Sequence, residues 1–237
     1  MKFKYKAVIF DQYSTLVWED AANPFYDRVA SDLGTDVNAF LTAYKSLGTA
    51  TMSGKIVSMG ERVSVAAQMA GFSGSSKLAH EIGERHLYLW LRSIRIYDDT
   101  HAALDLLRGK GFKLGLLSNA SSYSEHILSM AGLRRHFDAT ILSYQIGQMK
   151  PATEAYRFTA ELLGVRTEDC IYIGDGGDNE LAGAHGCDMT TVLLDRNLKH
   201  TESAAADADL RVSSLLEAVN ACFTLQREDM FIPAKTA

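Results

Sequence analysis

The sequence predicts an α/β protein built on a doubly wound parallel sheet, with an all-helical segment inserted after the first strand. Three observations predict it. Short apolar runs end abruptly in polar or glycine residues, helical patterns alternate with those runs, and the stretch from about Trp18 to Ile96 carries helical patterns without a clear strand.

The first apolar run is Ala7-Val8-Ile9-Phe10, which stops at Asp11. Three others follow: Leu114 to Leu117 before Ser118-Asn119, Ile171-Tyr172-Ile173 before Gly174-Asp175, and Val192-Leu193-Leu194 before Asp195. Runs this short and this continuous suit strands buried on both faces of a parallel sheet. Ala139 to Leu142 is a weaker fifth strand. Between them, Thr100 is placed to cap a helix through Leu104, Leu106 and Leu107 that Gly109 and Gly111 end. Ser122 and Glu125 have capping-box spacing ahead of Ile127, Leu128 and Met130, and Gly132 stops that helix. A further helix from Thr153 to Leu163 ends at Gly164. Strand alternating with helix implies a Rossmann-like core with right-handed crossovers.

The inserted region holds amphipathic stretches at Phe25 to Leu33, Ala39 to Leu47, Val63 to Met69 and Leu78 to Leu91. They either cover one face of the sheet or form a separate cap, and their combined length favours the cap. The expected division is a core over 1–17 and 97–225, a helical cap over 18–96, and a C-terminal tail over 226–237.

With 237 residues, 47% hydrophobic and 22% charged, the chain can bury a sizeable core. A net charge of -5 supplies no electrostatic reason to expect nucleic acid or an anionic membrane as partner. Any positive charge for a phosphate must be local. Cys170, Cys187 and Cys222 are odd in number, widely spaced and without a CxxC pair, which argues against a disulfide framework or a zinc site. They read as small buried hydrophobes in a reducing cytoplasm. The start, MKFKYKAVIF, reads as a first strand and not a signal peptide. No apolar stretch approaches the ~20 residues of a membrane span. A cytoplasmic protein is expected.

In an open parallel sheet, ligands bind beyond the carboxyl ends of the strands. Asp11, Ser118 with Asn119, the loop reaching Lys150, and Asp175 all arrive at that edge. Each alone has a plainer reading: an aspartate at a strand end, a Ser-Asn turn, a solvated lysine, a flexible GDGGDNE loop. Together they are harder to dismiss. VIFDQYSTL, LLSNA, MKP and IYIGDGGDNELAGAHG, in that order, resemble the four motifs of the haloacid dehalogenase-like hydrolase superfamily. The helical insert directly after the first motif is similar to its cap-bearing subgroup, and the likeness runs to about Leu194.

The resemblance implies roles residue by residue. Asp11 would be the nucleophile that forms a covalent aspartyl intermediate. Asp175, with Asp11 and the main-chain carbonyl of Tyr13, would hold Mg2+, a hard ion that prefers oxygen. Lys150 would offset the charge of nucleophile and transferring group, and Ser118 with the N–H groups from Asn119 onward would bind substrate oxygens. Glu180 stands where the family has a second acid, to hold a metal water or orient Lys150. Asp178 is read as a helix N-cap and not a ligand.

Two positions depart. Most phosphatases of the superfamily carry an acid two residues after the nucleophile, where this chain has Tyr13. Asp-x-Tyr-x-Thr-Leu resembles the first motif of the 2-haloacid dehalogenases, whose halide leaves without a proton. The retained Asp175 points instead to metal-using phosphatases. A halide-binding arginine is not identified: Lys45 lies in roughly its region, and neither Arg28 nor Arg62 is an obvious replacement. Ser14 replaces the usual glycine. The reading adopted is a Mg2+-dependent phosphatase of a small phosphorylated metabolite. The alternatives are a metal-independent 2-haloacid dehalogenase and a catalytically weakened ligand-binding member. Tyr13 and Lys55 are further candidate substrate-binding residues, Lys55 or Arg62 being presented by the cap; Tyr44, Met52 and Met59 read as cap core. A homodimer would need an exposed apolar cap face, and the sequence identifies none.

Overall fold

The computed structural model describes residues 4–196 and 207–228. The chain enters through β1 (Ala7–Phe10) and β2 (Val17–Glu19). Five helices follow: α1 (Phe25–Leu33), α2 (Val37–Ser46), α3 (Gly48–Met52), α4 (Met59–Met69) and α5 (Ser76–Leu91). After β3 (Ile94–Ile96) come α6 (Thr100–Gly109), β4 (Lys113–Ser118), α7 (Ser124–Met130), β5 (Ala139–Leu142), α8 (Ser143–Ile146) and α9 (Thr153–Leu163). The described chain closes with β6 (Cys170–Gly174), α10 (Glu180–His185), β7 (Thr190–Leu194), β8 (Leu210–Val212) and α11 (Leu215–Glu228).

Six strands form one sheet in the order β5-β4-β1-β6-β7-β8, every pairing parallel. Side chains alternate across a strand, so β1 sends Val8 and Phe10 to one face and Ala7 and Ile9 to the other. On the first face they meet Leu104 and Leu107 of α6, Ile127 of α7 and Val219 of α11. On the second they meet Tyr156 and Leu163 of α9 and Leu181 of α10. Helices on both faces explain why the strands read as unbroken apolar runs. Cys170, Cys187 and Cys222 are free and buried.

Between β2 and β3 the helices pack on one another. At the α4–α5 crossing a Cβ on Gly83 would fall 2.8 Å from the Gly60 Cα, so the two backbones approach where neither has a side chain. Asp36, Ser58 and Ser75 accept hydrogen bonds from N3 amides and start α2, α4 and α5.

Several local expectations are corrected. The region from Trp18 to Ile96 does contain strand: β2 and β3 pair antiparallel at its two ends. Three residues each are too few to show an alternation. Thr100 is not a cap; Asp99 precedes α6, and the Thr100 hydroxyl donates to the Leu16 carbonyl at 2.9 Å. The Ser122–Glu125 capping box does not form. α7 begins at Ser124, Ser122 Oγ donates to the Val57 carbonyl, and Glu125 accepts from Tyr144 and Gln145. The first three residues of the predicted C-terminal tail continue α11 to Glu228, and 229–237 lie outside the described residues.

Candidate active site

Asp11 follows β1 directly, and its amide donates to the Ile173 carbonyl at 2.9 Å. That bond extends the β1–β6 ladder by one residue, which sets Asp11 beside the end of β6, where Asp175 follows Gly174. Lys150 lies on the loop between α8 and α9. Its Nζ donates to Asp11 Oδ1 and Glu180 Oε2, both at 2.5 Å, and to the Tyr172 hydroxyl at 3.0 Å. Three donors and three acceptors match, so the buried ammonium is fully satisfied.

Glu180 is held from three sides. Oε2 also accepts from the Tyr172 hydroxyl at 2.6 Å, and Oε1 accepts from the Gly176 amide at 3.0 Å. A Cβ on Gly174 would fall 2.1 Å from Glu180 Oε1, so the site admits Glu180 only because residue 174 is glycine. Asn119 clamps the lysine loop. Its Nδ2 donates to the Lys150 carbonyl at 3.0 Å and its Oδ1 accepts from the Lys150 amide at 2.8 Å.

Oxygens of Asp11, Asp175 and Glu180 all lie within 4.8 Å of one another. Three carboxylates therefore face one ammonium, which leaves two negative charges unbalanced when all three are ionised. Burial pushes the Asp11 carboxyl up to about 7; Lys150 opposes the rise, and Glu180 and Asp175 add to it. Burial and then Glu180 raise Asp175. Burial alone would lower Lys150, but Asp11 and Glu180 outweigh it and hold the amine above its ordinary value.

These groups line a cavity of about 110 Å³ together with Tyr13, Ser14, Asn119, Gly177 and Asp178. A second cavity of about 310 Å³ adjoins it, because Tyr13 and Asn119 line both. Its walls include Tyr26, Tyr44, Arg62, Trp90 and Tyr123, drawn from the inserted helices and from the β4–α7 segment. The Tyr13 hydroxyl is engaged by Ser124 Oγ, with which it shares a hydrogen bond at 3.0 Å, and burial raises its pKa.

Of the residues predicted from sequence, Asp11, Lys150, Asp175, Tyr13 and Asn119 thus come together around one cavity. Ser118 does not line it; its hydroxyl is buried at the end of β4 without a hydrogen-bond partner. The Asn119 side chain is spent on the lysine loop and Asp178, and the Ala120 amide donates to Ser143 Oγ at 3.0 Å, which removes one of the main-chain N–H groups expected to bind substrate. Lys55 is exposed on the turn after α3 and lines neither cavity. Asp178 is not a helix cap. Its carboxylate accepts from Asn119 Nδ2 at 2.8 Å, and Asn179, without a side-chain cap, precedes α10. Tyr44 and Met52 line the second cavity, whereas Met59 is buried beneath it and accepts from the Tyr44 hydroxyl at 3.3 Å. Sequence reasoning missed Tyr172. It reads as one more apolar strand residue, and only the aspartate three places on hinted at a polar surrounding.

The family model of the haloacid dehalogenase-like hydrolases matches residues 5–188. The chain belongs to this family and is a hydrolase with an α/β, Rossmann-like fold. Phosphoserine phosphatase from Thermus thermophilus is 29% identical over 196 residues, covering 82% of this chain and 77% of that protein. A glyceraldehyde 3-phosphate phosphatase from Methanopyrus kandleri is 32% identical over 104 residues, 44% of this chain and 45% of the relative. Among solved structures, a HAD phosphatase from Thermococcus onnurineus superposes with a TM-score of 0.65 at 23% identity, covering 95% and 98% of the two chains. A 2-haloacid dehalogenase from Pseudomonas syringae superposes at 0.69 and 19%, covering 92% and 99%. Likeness at those identities establishes the fold alone.

Proposed function

We propose that the protein is a Mg2+-dependent phosphohydrolase that passes the phosphoryl group of a small metabolite to Asp11 and then to water. The observation that carries this reading is the pair of unbalanced negative charges in a buried cluster of oxygen donors. A hard divalent cation is the natural counter-ion for such a cluster. Asp11 and Asp175 would hold it, with the Tyr13 carbonyl as a further ligand. Both Glu180 oxygens already accept hydrogen bonds, so Glu180 serves to position Lys150. Bound Mg2+ would neutralise charge on the transferring phosphoryl group.

The Asp11 carboxylate attacks phosphorus as the bond from phosphorus to the leaving-group oxygen breaks, and water then hydrolyses the aspartyl phosphate to inorganic phosphate and free carboxylate. Lys150, 2.5 Å from Asp11 Oδ1, lowers the repulsion between carboxylate and phosphate. Because the Tyr13 phenol faces Ser124 and holds its proton tightly, no acid serves the leaving group at that position. General acid catalysis contributes about 10²–10⁴-fold, so substrates whose leaving group departs without a proton are favoured. The inserted helices, about 18–96, act as a cap that excludes water. The curated phosphatase relatives support a small phosphorylated substrate. Buried free thiols suit a reducing cytoplasm, and no helix among the described residues is long and apolar enough to cross a membrane.

The test is turnover of p-nitrophenyl phosphate and acetyl phosphate with Mg2+ and with EDTA. Hydrolysis that EDTA abolishes, and that Asp11→Asn lowers at least ~10³-fold, supports the reading. Tyr13 favours a second reading, the 2-haloacid dehalogenase. Chloride release from L-2-chloropropionate that EDTA leaves untouched, with no phosphatase activity, would replace the first reading by the second. No turnover on either panel, with phosphate still raising the melting temperature, would leave the weakened ligand-binding member.

A further inference from the structure

The larger cavity beside the acid cluster holds a charged group that the protein itself does not balance. Arg62, on α4, is half-buried in its wall and stacks over the Tyr44 ring, with 3.7 Å from Cζ to the ring centroid. Nε and Nη2 donate to the Tyr44 carbonyl at 3.2 and 2.9 Å, and Nη1 donates to the Tyr123 hydroxyl at 2.8 Å. These bonds and the ring fix the guanidinium plane. A guanidinium has five N–H donors, so one hydrogen on each terminal nitrogen remains. Among the described residues no carboxylate forms an ion pair with Arg62. Lys45 and Glu19 also line this cavity, both exposed; Glu19 feels Lys45 first and Arg62 second, so the lining carries two positive groups against one negative. The unbalanced positive charge is that of Arg62.

We infer that this cavity receives the leaving group of the substrate and that Arg62 binds a carboxylate carried on it. The two remaining hydrogens point from neighbouring nitrogens of one rigid plane, a pattern that suits the two oxygens of a carboxylate. A half-buried guanidinium with no bonded carboxylate gains more from an anionic ligand than a fully hydrated one would. The position fits as well. Tyr13 and Asn119 line both cavities, so a group bonded to a phosphorus beside Asp11 extends directly towards Arg62. Trp90 packs edge-on to Tyr123 with centroids 4.8 Å apart, and with the tyrosines gives the cavity apolar sides for the carbon skeleton. Arg62 is thus a specificity-determining residue. This rests on the phosphohydrolase reading.

The experiment compares 3-carboxyphenyl phosphate with 3-carbamoylphenyl phosphate on the Mg2+-loaded enzyme. The two match in size and in the kind of leaving group and differ in charge. A charge-assisted pair of hydrogen bonds corresponds to roughly 10–100-fold, so the wild type should favour the carboxylate by at least about 10-fold in kcat/KM, mainly through KM. Arg62→Met should bring the ratio close to one, and Arg62→Lys, which keeps the charge without the fork, should leave an intermediate ratio. If Arg62→Met fails to fold, the wild-type ratio and Arg62→Lys still decide. A wild-type ratio within about 2-fold of one overturns the inference, as does a preference for 1,3-phenylene bisphosphate over the carboxylate. Failure of all these esters and of p-nitrophenyl phosphate in Mg2+ sinks the phosphohydrolase reading, and this inference with it; turnover without preference sinks only the inference.

Discussion

Replacing Asp11 by Asn should abolish turnover and yet stabilise the metal-free protein at pH 8. The Asp11 carboxyl is raised from 3.8 to about 7, first by burial and then by Glu180 and Asp175 against the pull of Lys150. A carboxyl with a raised folded pKa favours folding fully below 3.8, and that contribution is lost as pH climbs through 7. At about 1.4 kcal/mol per pKa unit, ionised Asp11 penalises the folded state by at most ~4 kcal/mol at pH 8. Substitution also takes one partner from Lys150, but Glu180 at 2.5 Å and Tyr172 at 3.0 Å remain. Allowing for that loss, a net gain of about 1–3 kcal/mol is expected, or roughly 3–10 °C in a chain of this size. Thermal melts of both proteins in EDTA from pH 5 to 8.5 measure it. The gap should shrink as pH falls and, on the proposed Mg2+ site, narrow when Mg2+ is added, because the ion would stabilise the wild type through the same carboxylates. A variant no more stable than wild type at pH 8, or a gap independent of pH, would refute the picture of crowded, under-balanced acids.

Three other outcomes follow from the geometry. Gly174→Ala places a Cβ against Glu180 Oε1, so Glu180 must leave Lys150; turnover should fall at least ~10-fold while the melting temperature drops by only a few degrees, read by steady-state kinetics beside a thermal melt. Ser14 has φ 57, a left-handed conformation that disfavours a side chain, so Ser14→Gly should raise stability by about 0.5 kcal/mol, a shift of ~1–2 °C. Hydrogen bonds from Arg166 and Lys6 lower Asp169 to about 2. Its stabilisation is present above 3.8 and is lost as pH falls towards 2, so Asp169→Asn should flatten the acid limb of a denaturation curve measured between pH 5 and 2.

The core strands were legible because burial on both faces imposes continuous apolar runs, and Asp11, Lys150 and Asp175 were legible because each closes such a run or stands in a recognisable motif. Features whose stability comes from partners were not. β2 and β3 are three residues each and exist through pairing with one another. Thr100 has the chemistry of a helix cap, but Asp99 precedes it and is drawn off by Arg196 at 2.9 Å and the Leu215 amide at 2.8 Å. Of the two cap charges the sequence offers, Lys55 and Arg62, only Arg62 lines the larger cavity, because Tyr44 of α2 and Tyr123 of the β4–α7 segment hold its guanidinium there.

By itself, the order of apolar runs and polar ends determined a parallel α/β core and the edge at which its acids and amine collect, because strand periodicity and chain direction are local properties. Tertiary structure alone decided that Tyr13 turns to Ser124, that Tyr172 joins Lys150 to Glu180, and that two negative charges stay unbalanced. Those outcomes depend on distances between residues far apart in the chain, and electrostatic energy depends on distance and burial, which no local pattern encodes.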